Sequence, residues 1–344
     1  MDKVVDELDS HSAFLYTIIL DDRLELILKL SSENDLIHSR NQISRKVLID
    51  RVDQFKVIIQ KQSQVERAKI QEEAEQLYDW LLKPVDQRLR SINTLVFVLD
   101  SELSSLPMQA LRKNEKYLIE DYAVAVTPSL QLLGPKPPNI EPLKPLIAGV
   151  YEAPPGSSER DLPSVRKEIE IIQSLALESK ALKNEEFTLE NLRKELVNQP
   201  FPVVHLASHG EFSSQPETTY ILAGDGLRIN AKKLGDAIKG RARARSEAIK
   251  LVFFSACRTA EGDRRAALGI AGVTVKAGAR STIAALWYAE DRQSAQLATS
   301  FYRYWYDGTA GNKAQALQKA QLDMIQENSM PVYWAHYTLI GDWL

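Results

Sequence analysis

Apolar positions fall along the chain in two rhythms. Near the N-terminus, SAFLYTIIL and LELILKL are almost continuous apolar runs rich in Ile and Leu, separated by DDR. They predict a β-hairpin over residues 12–30, with a helix as the alternative. From Arg45 to Lys61 the rhythm lengthens. Leu48, Val52, Phe55 and Ile59 recur at spacings of four and three, the stripe of an amphipathic helix. A second, charge-rich helix is predicted over 65–82, with Leu77, Leu81 and Leu82 inward, stopping near Pro84.

Beyond residue 90 the apolar runs shorten. TLVFVLD (94–100) predicts a buried strand, KYLIEDYAVAVT (116–127) two short β-segments, and PLIAGV (145–150) another strand. Helices are predicted at 163–176 and 188–198, then the strand VVHLAS and a hairpin in TYILAGDGLRI around its Ala-Gly-Asp-Gly turn. A helix at 231–239, the strand LVFFSA, a helix at 266–277 closed by Gly278, and the strand STIAAL follow. Helices at 292–306 and 313–326 lead to a last strand, HYTLI. Strands alternating with helices imply a parallel sheet covered on both faces. In such sheets chemistry gathers at the carboxyl ends of the strands. Eight of the fifteen prolines lie between Pro135 and Pro163, which makes those stretches loops around one strand, with no domain boundary implied.

Composition narrows the class. The chain has 344 residues, 44% of them hydrophobic, enough for a sizeable core. A net charge of -3 gives no global field favouring nucleic acid or an anionic membrane. The basic stretch KGRARARSEAIK (239–250) is short and free of aromatics, and is expected to be a solvated loop. One cysteine excludes an internal disulfide and a cysteine-based zinc site, and fits a reducing compartment. No run approaches the ~18 apolar residues of a membrane span, and MDKVVDELDS lacks a signal-peptide core, so a cytoplasmic location is expected.

The candidate chemistry sits where two apolar runs stop. VVHLASHG ends at His209, and LVFFSACRTAEG carries Cys257, the only cysteine. Adjacent parallel strands ending there would bring an imidazole to a thiol, raising the thiolate fraction that attacks carbonyls. Gly210 follows the histidine and lets a substrate carbonyl approach its N–H. With the N–H of Cys257 it would form an oxyanion hole. The bland alternatives are a small core cysteine and a loop histidine capping a turn. His205, within the strand, is assigned to packing or support. No Gly-x-Ser-x-Gly elbow, phosphate loop or metal-ligand spacing appears, so neither a metal nor a cofactor is expected.

HLASHG, SACRTAEG, AGARSTIAALWYAED and the closing YWAHYTLIGDW resemble the CHAT domain, a caspase-like family related to separase. LSSLPMQAL, YLIEDYAVAVTPSLQLL and LYDWLLKPV resemble its upstream pattern, so the resemblance runs from about residue 12 to the C-terminus. It implies an α/β fold: a caspase-like sandwich with a central, mostly parallel sheet flanked by helices. Residues 1–90 would supply a hairpin and helices integral to the domain, and residues 91–344 the catalytic core. By motif, His209 matches the general base and Cys257 the nucleophile. In separase-like relatives an acid after a similar tryptophan-containing strand lies in the pocket for the residue preceding the scissile bond. Asp291 matches it and would select arginine or lysine, although it also stands where the 292–306 helix needs an N-cap. Asp100, at the end of its own strand, is a second candidate for that rim.

The expectation is a cysteine endopeptidase acting on a protein substrate after a basic residue, with Arg264 and Arg265 as sites of self-cleavage. The alternatives are a non-catalytic caspase-like interaction module and a transferase using the same acyl-thioester. CHAT domains usually follow a repeat array or sensor. Because this chain begins near the domain edge, either a separate regulatory or repeat-containing partner or a stand-alone form is expected.

Overall fold

The computed structural model describes residues 11–33, 35–61, 64–128, 144–176, 178–213, 215, 217–244, 248–255, 258–259 and 266–344. The hairpin forms as expected. β1 (Ser12–Ile19) and β2 (Leu24–Leu30) pair antiparallel, and β3 (Leu36–Asn41) adds outside them. Helix α1 (Arg45–Ile58) starts where the Ser44 hydroxyl accepts from the Val47 N–H, and it buries Leu48, Val52 and Phe55. Helix α2 (Arg67–Leu81) buries Ile70, Leu77 and Leu81. β4 (Thr94–Val98) then lies parallel beside β1.

Residues 116–127 carry the two expected short β-segments, with a helical turn between them. A two-residue pairing of β5 (Arg112–Lys113) with β6 (Lys116–Tyr117) runs into a helical turn, α3 (Leu118–Asp121), before β7 (Ala123–Val126). The cause is local: the Glu120 carboxylate accepts from the Tyr117 N–H at 2.6 Å and holds the turn.

The remaining elements alternate. They are β8 (Pro145–Gly149), α4 (Pro163–Leu175), β9 (Lys180–Lys183), α5 (Leu189–Asn198) and β10 (Val203–Ala207). Next come β11 (Gly210–Phe212), β12 (Tyr220–Leu222), β13 (Arg228–Asn230), α6 (Ala231–Ala244), β14 (Leu251–Ser255) and β15 (Arg258–Thr259). The chain ends with α7 (Ala266–Lys276), β16 (Ser281–Ala285), α8 (Asp291–Tyr306), α9 (Lys313–Glu327), α10 (Pro331–Trp334) and β17 (Tyr337–Gly341).

Among the described residues, eleven strands form one sheet in the order β3-β2-β1-β4-β7-β17-β16-β14-β10-β8-β9, and β13-β12-β11-β15 form a small second sheet. Within the large sheet β1, β4, β7 and β17 run parallel to one another, as do β16, β14, β10, β8 and β9. The two blocks meet at the antiparallel pair β16–β17, so their carboxyl ends point to opposite edges.

Alternate residues of the central strands enter different cores. Val203, Ala207, Leu251 and Phe253 join the side covered by α4, α8 and α9, through Val165, Ile169, Phe301, Tyr302 and Leu317. Val204, Leu206, Val252 and Phe254 join the side covered by α5 and α6, through Leu192, Leu196, Leu234 and Ile238. This is the period-2 pattern of strands buried on both faces.

The basic stretch after residue 239 is not a solvated loop throughout. Helix α6 continues to Ala244, and Arg241 turns inward, fully buried, with its guanidinium donating to the Gln199 carbonyl at 3.0 Å. The Gln199 carbonyl, just beyond α5, thus accepts both from this guanidinium and from the Phe201 N–H at 3.0 Å.

Phe253 sits amid the rings of His205, Phe301, Tyr302 and Tyr337 directly beneath the carboxyl edge. We expect Phe253→Ala to lower unfolding stability by about 3–5 kcal/mol in a denaturant titration, the usual cost of an aromatic cavity.

Candidate active site

Four parallel strands, β8, β10, β14 and β16, end at one edge of the sheet. Ala207 at the end of β10 is in register with Gly149 of β8 and Ser255 of β14. Beyond β10 the chain runs through Ser208 and His209 into β11, and β15 is the next strand after β14. These continuations pair again, Glu211 with Arg258 and Phe212 with Thr259. The backbone around His209 is therefore braced on both sides. Ser208 bonds the Leu222 carbonyl through its hydroxyl at 2.7 Å, and the His209 carbonyl accepts from the Leu222 N–H at 2.8 Å. Cys257, Arg264 and Arg265 lie outside the described residues.

Gly210 is a steric requirement as well as an approach point. A Cβ there would meet the Tyr220 carbonyl oxygen at 2.7 Å and the Ile221 Cα at 3.3 Å, both backbone. Since the His209 carbonyl faces β12, strand alternation turns the Gly210 N–H to the other side, where β15 lies.

The His209 ring is held at both nitrogens. Nε2 lies 2.6 Å from the Arg160 carbonyl oxygen, which can only accept, so Nε2 carries the hydrogen and Nδ1 is left to take up a proton. Glu159 Oε2 stands 3.4 Å from Nδ1. The Arg160 guanidinium, in turn, donates to the Tyr288 hydroxyl at 2.6 Å.

His209, Gly210 and Asp291 line a common cleft of about 350 Å³ with Glu159, Arg160, Glu211 and Tyr288. Three carboxylates against one guanidinium give its described walls an acidic balance. A slightly larger recess, about 400 Å³, opens at Lys144, Lys180 and Phe201 beside the amino ends of β8, β9 and β10, away from this chemistry.

Asp291 is the first residue of α8, and Glu290 holds the N-cap position. The expected capping is given to a different helix. Asp291 Oδ2 accepts at 2.8 Å from the N–H of Ser164, in the first turn of α4. Its Oδ1 is buried and lacks a hydrogen-bond partner among the described residues, and the residue lines the cleft.

Asp100 does not share that wall. It follows β4, whose carboxyl end points to the opposite sheet edge because β16 and β17 run antiparallel. Strands of five residues separate the two edges by roughly 16 Å. The Asp100 carboxylate instead accepts from the N–H groups of Glu102 and Ile19, closing a helical turn, and its own N–H donates to Thr17 Oγ1.

Sequence reasoning missed Glu168. It lies on α4 in the apolar stripe with Val165, Ile169 and Ile172, and is fully buried. His205 Nε2 lies 2.9 Å from Glu168 Oε1, in contact but off the line of a hydrogen bond, and Glu168 Oε2 accepts from the Ser255 hydroxyl at 3.0 Å. His205 Nδ1 is 3.2 Å from the Tyr302 hydroxyl, which burial holds in its neutral form. The legible signal was an acid at the inward position of an amphipathic helix.

The CHAT domain family model matches residues 71–342. No curated protein matches the sequence. Among solved structures, two crystal structures of the Saccharomyces cerevisiae separase–securin complex superpose with TM-scores of 0.61 and 0.58 at 11% identity. Each alignment covers 99% of this chain, which spans only 30% and 31% of the separase chains. At that identity the likeness is one of fold, the caspase-like sandwich. The Arg-specific cysteine proteinase gingipain R aligns over 87% of this chain and 75% of its own, at 11% identity and a TM-score of 0.48.

The segment after β16 also borders a second cavity, of about 170 Å³, lined by Trp287, Tyr288, Tyr333 and His336. His336 is fully buried, and desolvation lowers its pKa to about 3. The unfolded chain binds that proton near pH 6.5 and the folded chain only near pH 3, so stability is lost as pH falls between those values. We expect His336→Leu to remove a slope of up to about 1.4 kcal/mol per pH unit between pH 6 and 4. Unfolding midpoints of the two proteins compared across that window provide the check.

Proposed function

The chain belongs to the CHAT domain family, and on that premise we propose that it is a cysteine endopeptidase with Cys257 as nucleophile and His209 as general base. One observation carries the reading: the backbone before and after His209 pairs with the backbone before and after Cys257, at Ala207–Ser255 and at Glu211–Arg258. A nucleophile and a base introduced by two such segments need no long-range rearrangement to meet.

In this mechanism Nδ1 of His209 takes the thiol proton, its ring fixed by the Arg160 carbonyl. The thiolate attacks the peptide carbonyl carbon, and the N–H groups of Gly210 and Cys257 hold the oxyanion. Collapse breaks the C–N bond, and the departing amine takes the proton from the imidazolium. Water, deprotonated by His209, then resolves the acyl-thioester and regenerates the thiol. The residue before the scissile bond is arginine or lysine. Its cation pairs with the Asp291 carboxylate, one oxygen of which has no hydrogen-bond partner among the described residues, in a cleft whose described walls are already acidic. The substrate is an extended segment of another protein laid along a strand edge, and a separate regulatory protein is the partner that controls access.

The test is turnover of fluorogenic peptides ending in arginine or lysine. We expect activity in the wild type and losses of at least roughly 10³-fold in both Cys257→Ala and His209→Ala. A wild type silent on every peptide, with partner binding untouched by both substitutions, favours an interaction module instead.

Asp291→Asn keeps an oxygen for the Ser164 N–H while removing the charge. It should cut kcat/KM by about 10²-fold on arginine and lysine peptides and far less on peptides with a neutral residue there. Equal losses on both peptide classes would assign Asp291 to structure alone.

A further inference from the structure

Glu168 and His205 form an acid–imidazole pair with no exposed surface, and the proposed chemistry uses neither. Such a pair is a poor stabilising device, because desolvation offsets its attraction and apolar replacements are often as stable. Its location is more informative than its strength. The two carboxylate oxygens of Glu168 face different strands: Oε1 contacts His205 of β10, and Oε2 accepts from Ser255, the last residue of β14. His209 follows the first strand by two residues, and Cys257 follows the second by two.

The helix carrying Glu168 reaches the site twice more. Its Ser164 N–H is held by Asp291, and the segment leading into it supplies the Arg160 carbonyl that orients His209. From the far side, Tyr302 of α8 closes the group on His205 Nδ1. A carboxylate only accepts, so Nε2–H of His205 faces Glu168, and Nδ1 accepts from the Tyr302 hydroxyl.

We propose that Glu168 is a positioning residue: through Ser255 and His205 it fixes the relative height of the two strand ends, and so the approach of the His209 imidazole to the Cys257 thiol. The role rests on the peptidase reading, and it acts on the geometry of the dyad without touching substrate. Its signature is a loss in the chemical step with substrate binding preserved.

The experiment uses Glu168→Gln, which keeps shape and one accepting oxygen but turns the other into a donor, and Ser255→Ala, which removes one hydroxyl and spares the Glu168–His205 contact in case the first variant fails to fold. Two readouts are taken on the full chain. One is kcat and KM on an arginine-ended peptide. The other is the pH profile of iodoacetamide alkylation, which reports Cys257 alone because no other thiol exists. For Glu168→Gln we expect kcat to fall at least tenfold, KM to stay within twofold, and the alkylation profile to move up toward that of an unassisted thiol. For Ser255→Ala we expect the same pattern at three- to tenfold. Wild-type activity, with an alkylation profile that shifts in His209→Ala but not in either variant, and kcat unchanged in both, overturns the positioning role while leaving the peptidase reading intact. A wild-type profile indifferent to His209→Ala, with no turnover, overturns both.

Discussion

The cleft depends on one constraint: β10 and β14 run parallel, in register, and stop together. Both are buried on both faces, so their backbone groups must be satisfied by neighbouring strands, which fixes them laterally. The alternation of side chains fixes them along their length. Val203, His205 and Ala207 face one layer and Val204 and Leu206 the other, so a one-residue slip would exchange the two sets. In particular it would carry His205 away from Glu168 into an apolar layer, where its ring nitrogens would have no partner. The burial pattern that builds the core therefore also sets where the two strands end.

Helix α4 converts that register into a site. It packs along α8 and presents Val165, Ile169 and Ile172 to the sheet, which places Glu168 under the strand ends. Pro163 opens the helix and contributes no N–H, while the Ser164 N–H takes its acceptor from Asp291 of α8. The segment just before it is drawn to the cleft by Leu162, whose N–H donates to the Tyr151 carbonyl, and by Arg160, which binds His209 and Tyr288. One helix terminus thus meets the imidazole, the acidic wall and the aromatic residue beside it.

The parts that were legible in the sequence are those written in burial. Apolar runs at 94–98, 145–149, 203–207, 251–255 and 281–285 are strands because full burial on both faces permits no other composition. What was not legible depends on partners far away in the chain. β3, β9 and β11 are short and partly polar, and exist because an edge or a neighbouring segment pairs with them. Arg241 reads as a solvated charge until Gln199 offers it a carbonyl, and Glu168 reads as an ordinary helical acid until the helix phase turns it inward. Asp100 was assigned to the active edge on the premise that every strand of a parallel sheet ends alike. The antiparallel seam between β16 and β17 breaks that premise, and only chain topology reveals it. His209 and Asp291 were singled out from motif and resemblance, and both line one cleft.

That seam has a further consequence. The β1–β4–β7 block contributes no residue to the cleft, yet it fixes the strand on which the cleft leans. The Tyr337 carbonyl, at the start of β17, accepts from two buried amides, those of Gln109 before β5 and Gln321 on α9. The same amides also hold the Ala335 and Trp334 carbonyls. Next to them the His336 carbonyl accepts from the Leu286 N–H at 2.6 Å, just beyond the end of β16. Leu286 begins the short connection that carries Tyr288 and leads to Asp291. The position of the acidic wall is therefore tied, through three residues of backbone and two glutamines, to the half of the molecule that runs the other way. A uniformly parallel sheet would end its last strand at the cleft and leave that segment without such a support. Reversing β17 brings its first residues, with their carbonyls and buried amide partners, to the edge where the cleft lies.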